Sequence, residues 1–345
     1  MDLSCEYGGL ILANPLIAAP AGTTGTRERC LKCAEQGIGA LVLKSLFEQE
    51  FSRKAPTPHF KVIRRGAGAF VSTTLYSYEQ ASEFGPEEYC TELWAIKQAT
   101  GLPIFASINC YTDEGWISYA KQVEQAGADA IELNASCPHG FFAMAGADIG
   151  SEVARITSLV KGAVSIPVTA KLSGQDAYPP ASALKVQQAG AAGVVLFNRF
   201  TGLEIDLETE RPIMHGGYAG HGGPWALQFV LRWLTEATPQ LAIPISASGG
   251  VVDGKDVAKL ILAGATTVQL CTAIVVEGYQ VISRIKRELT EFMQQKHYSC
   301  LADFRGKVIP RLVTGDQVDR EWHYRAQVDS AKCIRCGKCE RVCIY

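Results

Sequence analysis

Eight short apolar, β-branched runs recur along the chain, and two different signals lead into them in strict alternation. Four follow a helix-compatible stretch that ends in Gly-Ala or a close variant: Gln36-Gly-Ile-Gly-Ala40, Gln125-Ala-Gly-Ala-Asp-Ala130, Gln188-Ala-Gly-Ala-Ala-Gly193 and Leu262-Ala-Gly-Ala-Thr-Thr267. A glycine there suits the left-handed residue that closes a helix. The other four follow Pro15, Pro103, Pro167 and Pro244, since proline is tolerated at the start of a strand, where it lacks only the donor N–H. Eight strands with helices between most of them predict a (β/α)8 TIM barrel. An open doubly wound sheet is the alternative, because strand count alone does not establish closure.

Two stretches fall outside the repeat. Residues 46–85 form a Gly- and Tyr-containing excursion after the second strand, and residues 297–345 follow the last helix. Excursions of that length often build active-site walls. With 345 residues, division by a typical domain size suggests two domains, but α/β barrels of about 250 residues plus insertions are an exception. The division expected here is a barrel over residues 1–310 and a short tail over 311–345. A net charge of −2 gives no electrostatic case for nucleic acid or an anionic membrane surface. Neither a signal peptide nor an apolar run long enough for a membrane span is visible, so the chain is expected to be soluble and cytoplasmic. Its 12 cysteines then point to thiol chemistry or cluster ligation in a reducing compartment rather than to disulfides.

In such a barrel the chemistry sits where strands end. Those ends are polar: Lys44-Ser45, Asn134-Ala-Ser136-Cys137-Pro-His139-Gly140, Lys171, Asn198-Arg199, Ser248-Gly249-Gly250 and Cys271-Thr272. Gly249 and Gly250, with Cys271 and Thr272 after the eighth strand, suit a phosphate held by backbone N–H groups; a plain turn is the other reading of Gly-Gly. An unpaired ammonium at Lys44 or Lys171 would be costly to bury, so either an anionic or electron-rich ligand meets it or the side chain snorkels to the rim. Asn134 and Asn198 offer both donors and acceptors to an amide-rich ring. Cys137 is either a buried apolar thiol or an acid/base on a loop.

The tail carries Cys333, Cys336, Cys339 and Cys343 in the run Cys-Ile-Arg-Cys-Gly-Lys-Cys-Glu-Arg-Val-Cys, the C-x2-C-x2-C-x3-C spacing of a ferredoxin-type iron–sulfur site. Zinc sites more often split their ligands into two separated pairs. In two-cluster ferredoxins the fourth cysteine serves the other cluster, and no second run follows before Tyr345. A 4Fe-4S cluster, a 3Fe-4S cluster with Cys343 idle, and an empty quartet all remain open. Cys30 and Cys33 repeat the C-x2-C spacing within a helical segment, which favours an inert helix face. His215 and His221 either line a ligand or phosphate pocket or belong to a flexible glycine loop, and Phe292 and Met293 read as core.

Several of these pieces together resemble the dihydroorotate dehydrogenase superfamily, and most closely the flavin barrel of dihydropyrimidine dehydrogenase. They are Asn14-Pro-Leu-Ile-Ala-Ala19-Pro-Ala21, Leu43-Lys44-Ser45, Glu132-Leu-Asn134-Ala-Ser-Cys137-Pro-His-Gly140, Ala170-Lys171-Leu172, Ser248-Gly249-Gly250-Val251 and Val268-Gln-Leu-Cys-Thr272-Ala. The resemblance runs from about residue 3 to residue 310. It implies an FMN on the backbone of Ala19, Pro20 and Ala21, near Lys44, Ser45, Asn134 and Lys171, with its phosphate against Gly249, Gly250, Cys271 and Thr272. It implies hydride exchange at a CH–CH bond of a dihydropyrimidine or dihydroorotate-like ring, in pyrimidine metabolism, with Cys137 as acid/base and Lys44 beside it in the catalytic set. Ser136, Asn134, Asn198 and Arg199 would contact the substrate.

Two departures from that resemblance bear on the substrate. Relatives carry an asparagine where this chain reads Ser72-Thr-Thr-Leu-Tyr76-Ser-Tyr78, and Ser or Thr where it has Arg199. An arginine there favours an anionic substrate or else points outward. No Gly-x-Gly-x-x-Gly follows a strand, so no nicotinamide domain is evident, and the resemblance implies a separate NAD(P)H flavoprotein or ferredoxin as electron partner. A homodimer is expected. A non-redox phosphate-binding barrel and an electron-transfer module with a different substrate are the rival functions.

Overall fold

The computed structural model describes residues 1–67, 71–78, 81–135, 148–321, 323 and 325–343. It divides into two units, Met1–Ile309 and Pro310–Tyr345. In the first, all eight expected runs are strands: β1 Leu16–Ala18, β2 Ala40–Val42, β3 Ile104–Asn109, β4 Ala130–Leu133, β5 Val168–Leu172, β6 Gly193–Leu196, β7 Ile245–Ser248 and β8 Thr267–Leu270. Each pairs in parallel with its neighbours, and β8 pairs with β1 while β2 pairs with β3, so the sheet closes on itself. Closure removes the open-sheet alternative. The helices between strands are α1 Arg27–Glu35, α2 Pro86–Thr100, α3 Asp113–Gln125, α4 Ile149–Lys161, α5 Pro179–Gln188, α6 Leu227–Ala237 and α7 Gly254–Leu262, with α8 Thr272–Glu277 and α9 Val281–Gln295 after β8.

The two alternating signals have separate physical causes. After α1, α3, α5 and α7, the glycines Gly37, Gly127, Gly190 and Gly264 all have positive φ. In each case the residue after the glycine donates its N–H back to the last helical turn: Ile38 to Cys33, Ala128 to Val123, Ala191 to Val186 and Ala265 to Leu260. That is the Schellman closure, which satisfies carbonyls a helix end would otherwise leave bare. The prolines instead lend their carbonyls to the barrel. Those of Pro15, Pro103, Pro167 and Pro244 accept from Val268, Leu41, Ile131 and Val194 on the neighbouring strands, so the missing N–H costs the ladder nothing at that position.

Side chains alternate cleanly across the barrel wall. Leu16, Ala18, Ile104, Ala106, Ile131, Leu133, Val194 and Leu196 face the helices in the main core, which also holds Met293. Ile17, Ala40, Val42, Phe105, Ala130 and Val195 face inward. A small antiparallel hairpin, Cys5–Tyr7 with Leu10–Leu12, plugs the end where the strands begin, with Tyr7 and Leu12 joining the inward cluster. The Tyr7 hydroxyl donates to the Val194 carbonyl at 3.4 Å. Further along the strands the inward layer turns polar: Ser107, Glu132, Thr169, Lys171, Ser246, Thr267 and Gln269 are all buried.

Beyond the mouth lies a second, antiparallel sheet. Strand Ser72–Ser77, from the excursion after β2, pairs on one side with Phe60–Arg65 and on the other with Ala219–Gly222, which in turn pairs with Phe200–Gly202. Beside residues 46–85 and 297–345, the segment after β6 is a third excursion from the repeat, one that the repeat itself does not announce. It is tied to the first excursion by the pairing of Ala219–Gly222 with Ser72–Ser77, which no local sequence signal announces. His221 accordingly sits in a strand opposite Tyr76, not in a flexible glycine loop. No helix among the described residues is long and apolar enough to cross a membrane.

Candidate active site at the barrel mouth

The floor of the mouth is built from inward residues near the ends of three strands. On β5, Lys171 Nζ donates to Gln269 Oε1 on β8 at 2.6 Å and lies 3.7 Å from Glu132 Oε1 on β4. The Gln269 amide in turn donates to the other oxygen of Glu132. Glu132 is fully buried, and burial pushes its carboxyl up from the ordinary range, with the Lys171 charge and the Gln269 hydrogen bond opposing the shift. Glu132 Oε1, which faces the ammonium, has no donor within hydrogen-bond distance among the described residues. An ion pair at this depth is costly to desolvate, so its stability rests on the partnership rather than on either charge alone.

Beside this trio the strand ends are tied into a polar chain. Asn198 Nδ2 donates to Asn134 Oδ1 at 2.7 Å, Asn134 Nδ2 to Ser45 Oγ at 3.0 Å, and Ser45 Oγ lies 2.8 Å from Ser107 Oγ. Asn109 Nδ2 donates to the Asn134 carbonyl at 2.6 Å. Because each amide is held by a neighbour, the chain fixes which edge faces the mouth.

Above the floor opens a cleft of about 1050 Å³. Ala19, Pro20 and Ala21 after β1 form one wall, and Gly249, Gly250, Cys271 and Thr272 after β7 and β8 another. Ser45, Asn134, Lys171, Gln269, Asn198 and Arg199 also line it, and Leu75, Ser77 and His221 reach it from the antiparallel sheet. Gly250 has φ +79°, and a Cβ there would strike the backbone nitrogen of Leu227, so the close passage of this turn against α6 requires glycine. The side chain of Arg199 passes over Gly220, where a Cβ would collide with it, and its guanidinium donates to the Ser77 carbonyl at 3.5 Å. His221 stacks edge-on against Tyr76 at 4.7 Å, and burial holds its imidazole below the usual value.

Most of the expected residues thus meet in one cleft. Lys44 does not line it; it borders a separate cavity of about 730 Å³ with Arg29, Tyr78 and Tyr89. Ser136 and Cys137 lie outside the described residues. His215 is not at the cleft, and its ring nitrogen sits 2.9 Å from the Pro58 carbonyl. Cys30 and Cys33 are buried on α1, as expected for an inert helix face. Sequence reasoning gave no site role to Glu132 and Gln269. Their signal was present as polar residues at inward positions of the apolar runs Ala130-Ile-Glu-Leu133 and Thr267-Val-Gln-Leu270.

In the tail unit, Arg335 and Gly337 have positive φ, a short helix α10 spans Lys338–Val342, and Cys333 Sγ accepts from the Arg335 N–H at 3.4 Å. All four tail cysteines are exposed. Four thiolates are the right donors for an iron–sulfur cluster, but among the described residues no group of three or more His, Cys, Asp or Glu is gathered closely enough to hold a metal ion.

Comparison with known proteins adds a family. The dihydroorotate dehydrogenase family model matches residues 2–293. The NAD-dependent dihydropyrimidine dehydrogenase subunit PreA of Escherichia coli strain K12 is 27% identical over 99% of this chain and 85% of its own length. The catalytic subunit of dihydroorotate dehydrogenase B (NAD(+)) from Methanothermobacter thermautotrophicus is 33% identical over 86% of this chain and 94% of its own length. The chloroplastic dihydropyrimidine dehydrogenase (NADP(+)) of Arabidopsis thaliana is 28% identical over 91% of this chain and 78% of its own length.

Proposed function

Because the chain belongs to the dihydroorotate dehydrogenase family of redox enzymes, we propose that it binds FMN in the cleft and acts on a CH–CH bond of a dihydropyrimidine- or dihydroorotate-like ring. The observation that carries this reading is the floor of the cleft, where Lys171, Asn134 and Asn198 converge beside the backbone of Gly249 and Gly250. That donor and acceptor set fits a flavin: amides and an ammonium for its ring edge, and main-chain N–H groups with the first turn of α8 for its phosphate. When bound, FMN would supply reversible two-electron exchange with a substrate carbon and release of electrons one at a time.

The chain's own groups do the remaining work. Asn134 and Asn198, locked by their mutual hydrogen bond, orient the ring in the mouth. A C–H next to a carbonyl is too weakly acidic to ionise unaided, so a positioned base must move its proton, and Cys137 takes that part at the ring carbon C5. A thiol's ordinary value near 8.5 suits the task close to neutral pH. Arg199 adds a permanent positive charge at the cleft wall, which favours a ring bearing a carboxylate or another anion.

The tail enters as the donor set for an iron–sulfur cluster, 4Fe-4S with Cys343 included, serving a separate NAD(P)H flavoprotein or ferredoxin. Its support is the cysteine spacing, together with a similarity to PreA that runs over nearly the whole chain. Iron and acid-labile sulfide in anaerobically reconstituted protein, both lost in Cys336→Ala, are the expected result. For the barrel, the deciding experiment is anaerobic bleaching of the bound flavin against a panel of dihydropyrimidines, dihydroorotate and anionic cyclic analogues. One member should bleach it rapidly, and Cys137→Ala should abolish turnover of that compound while retaining FMN. A colourless protein that takes up no flavin would end this reading.

A further inference from the structure

We propose that Glu132 and Gln269 are positioning residues that act through Lys171, setting how much positive charge the barrel floor presents to the ligand in the cleft. Lys171 and Gln269 border the cleft, whereas Glu132 lies beneath them, fully buried on β4. The ammonium is held from below at two points, by Gln269 Oε1 at 2.6 Å and by the Glu132 carboxylate at 3.7 Å, while the Gln269 amide spans the two charged groups. Lys171 therefore has little freedom to swing away, and its charge is largely balanced before any ligand arrives.

Stability alone does not account for the arrangement. A buried ion pair is commonly matched or bettered by apolar side chains of similar volume. The Glu132 oxygen that faces Lys171 lies at 3.7 Å, beyond hydrogen-bond distance, so the pair is not closed as tightly as a purely structural one could be. The titratable groups around Glu132 are Lys171 on β5 and Tyr7 from the plugging hairpin, and only Lys171 reaches the cleft. A change of charge at Glu132 is thus passed to the ligand through one side chain.

The inference rests on the flavin reading for its ligand but not for its test. Glu132→Gln keeps the shape and an acceptor for Gln269 while removing the negative charge, so the midpoint potential of bound FMN should move to a more positive value. In Glu132→Gln/Lys171→Met that rise should disappear. A folded, flavin-loaded Glu132→Gln protein with the parent's potential would overturn the proposal, as would a rise that persists without Lys171. Thermal unfolding of the flavin-free protein gives a second reading. Glu132→Gln and Lys171→Met should each lower the melting temperature by more than the double variant does, and strictly additive losses would refute the coupling. Failure of the parent to bind FMN removes the flavin reading alone, because the unfolding comparison still decides the coupling.

Discussion

The Cys-x2-Cys spacing occurs in two regions of this chain, and they sit in opposite environments. Cys30 and Cys33 lie buried on α1, their thiols donating to the carbonyls of Thr24 and Thr23 at 3.6 and 3.9 Å. Burial pushes both thiols up, Cys33 to about 12, so neither forms thiolate near neutral pH. Cys333 and Cys336 are exposed in the tail. Identical spacing therefore carries no chemistry by itself. The surroundings decide it: a packed helix face turns one pair into small apolar side chains, and solvent leaves the other available to a metal or an electrophile.

The same contrast should separate the two units under mutation. Phe105 is fully buried in the inward cluster of the barrel, so Phe105→Ala should cost about 3–5 kcal/mol in urea unfolding. Cys339→Ser in iron-free protein should shift the same curve by less than about 0.5 kcal/mol. A comparable loss from both would mean that the tail is packed as tightly as the barrel. Thiol labelling under anaerobic, metal-free conditions sharpens the comparison next. The four tail cysteines should react promptly in native protein, and Cys30 and Cys33 only after denaturant is added; early modification of α1 would break the distinction.

The smallest effect belongs to a surface charge. Asp148 caps α4 by accepting from the N–H groups of Gly150 and Ser151, and its carboxyl is held down to about 2, chiefly by its ion pair with Lys185 and by Ser151. Since the folded value lies below the unfolded value near 3.8, its contribution is present above that value and lost as pH falls through about 2. Asp148→Asn should flatten the acid side of the barrel's unfolding curve, and an unchanged acid slope would show that the pair contributes nothing measurable.

Legibility in the sequence followed the range of the interactions involved. Strand positions were readable because each is announced locally, by a helix-closing glycine such as Gly127 or by a proline such as Pro167 whose carbonyl the next strand uses. The cleft residues Asn134, Lys171, Gly249 and Gly250 were readable for the same reason, since they mark where those strands stop. Lys44 also follows a strand, yet it borders the neighbouring cavity. The excursion after β6 escaped notice because Gly220 pairs with Ser77, a partner more than a hundred residues away, and no local signal announces such a pairing.

From its sequence alone this chain determines eight strands, their polar ends and the thiol donors of its tail, because helix closure, strand entry and ligand chemistry are written into neighbouring residues. Only the tertiary structure decided that the sheet closes, that Glu132 and Gln269 stand beneath Lys171, and that His221 and Arg199 reach the same cleft from the β6 excursion. The reason is geometric. Closure turns alternate side chains of distant strands toward one axis, so polar groups on β4, β5 and β8 become neighbours although no short stretch of chain brings them together.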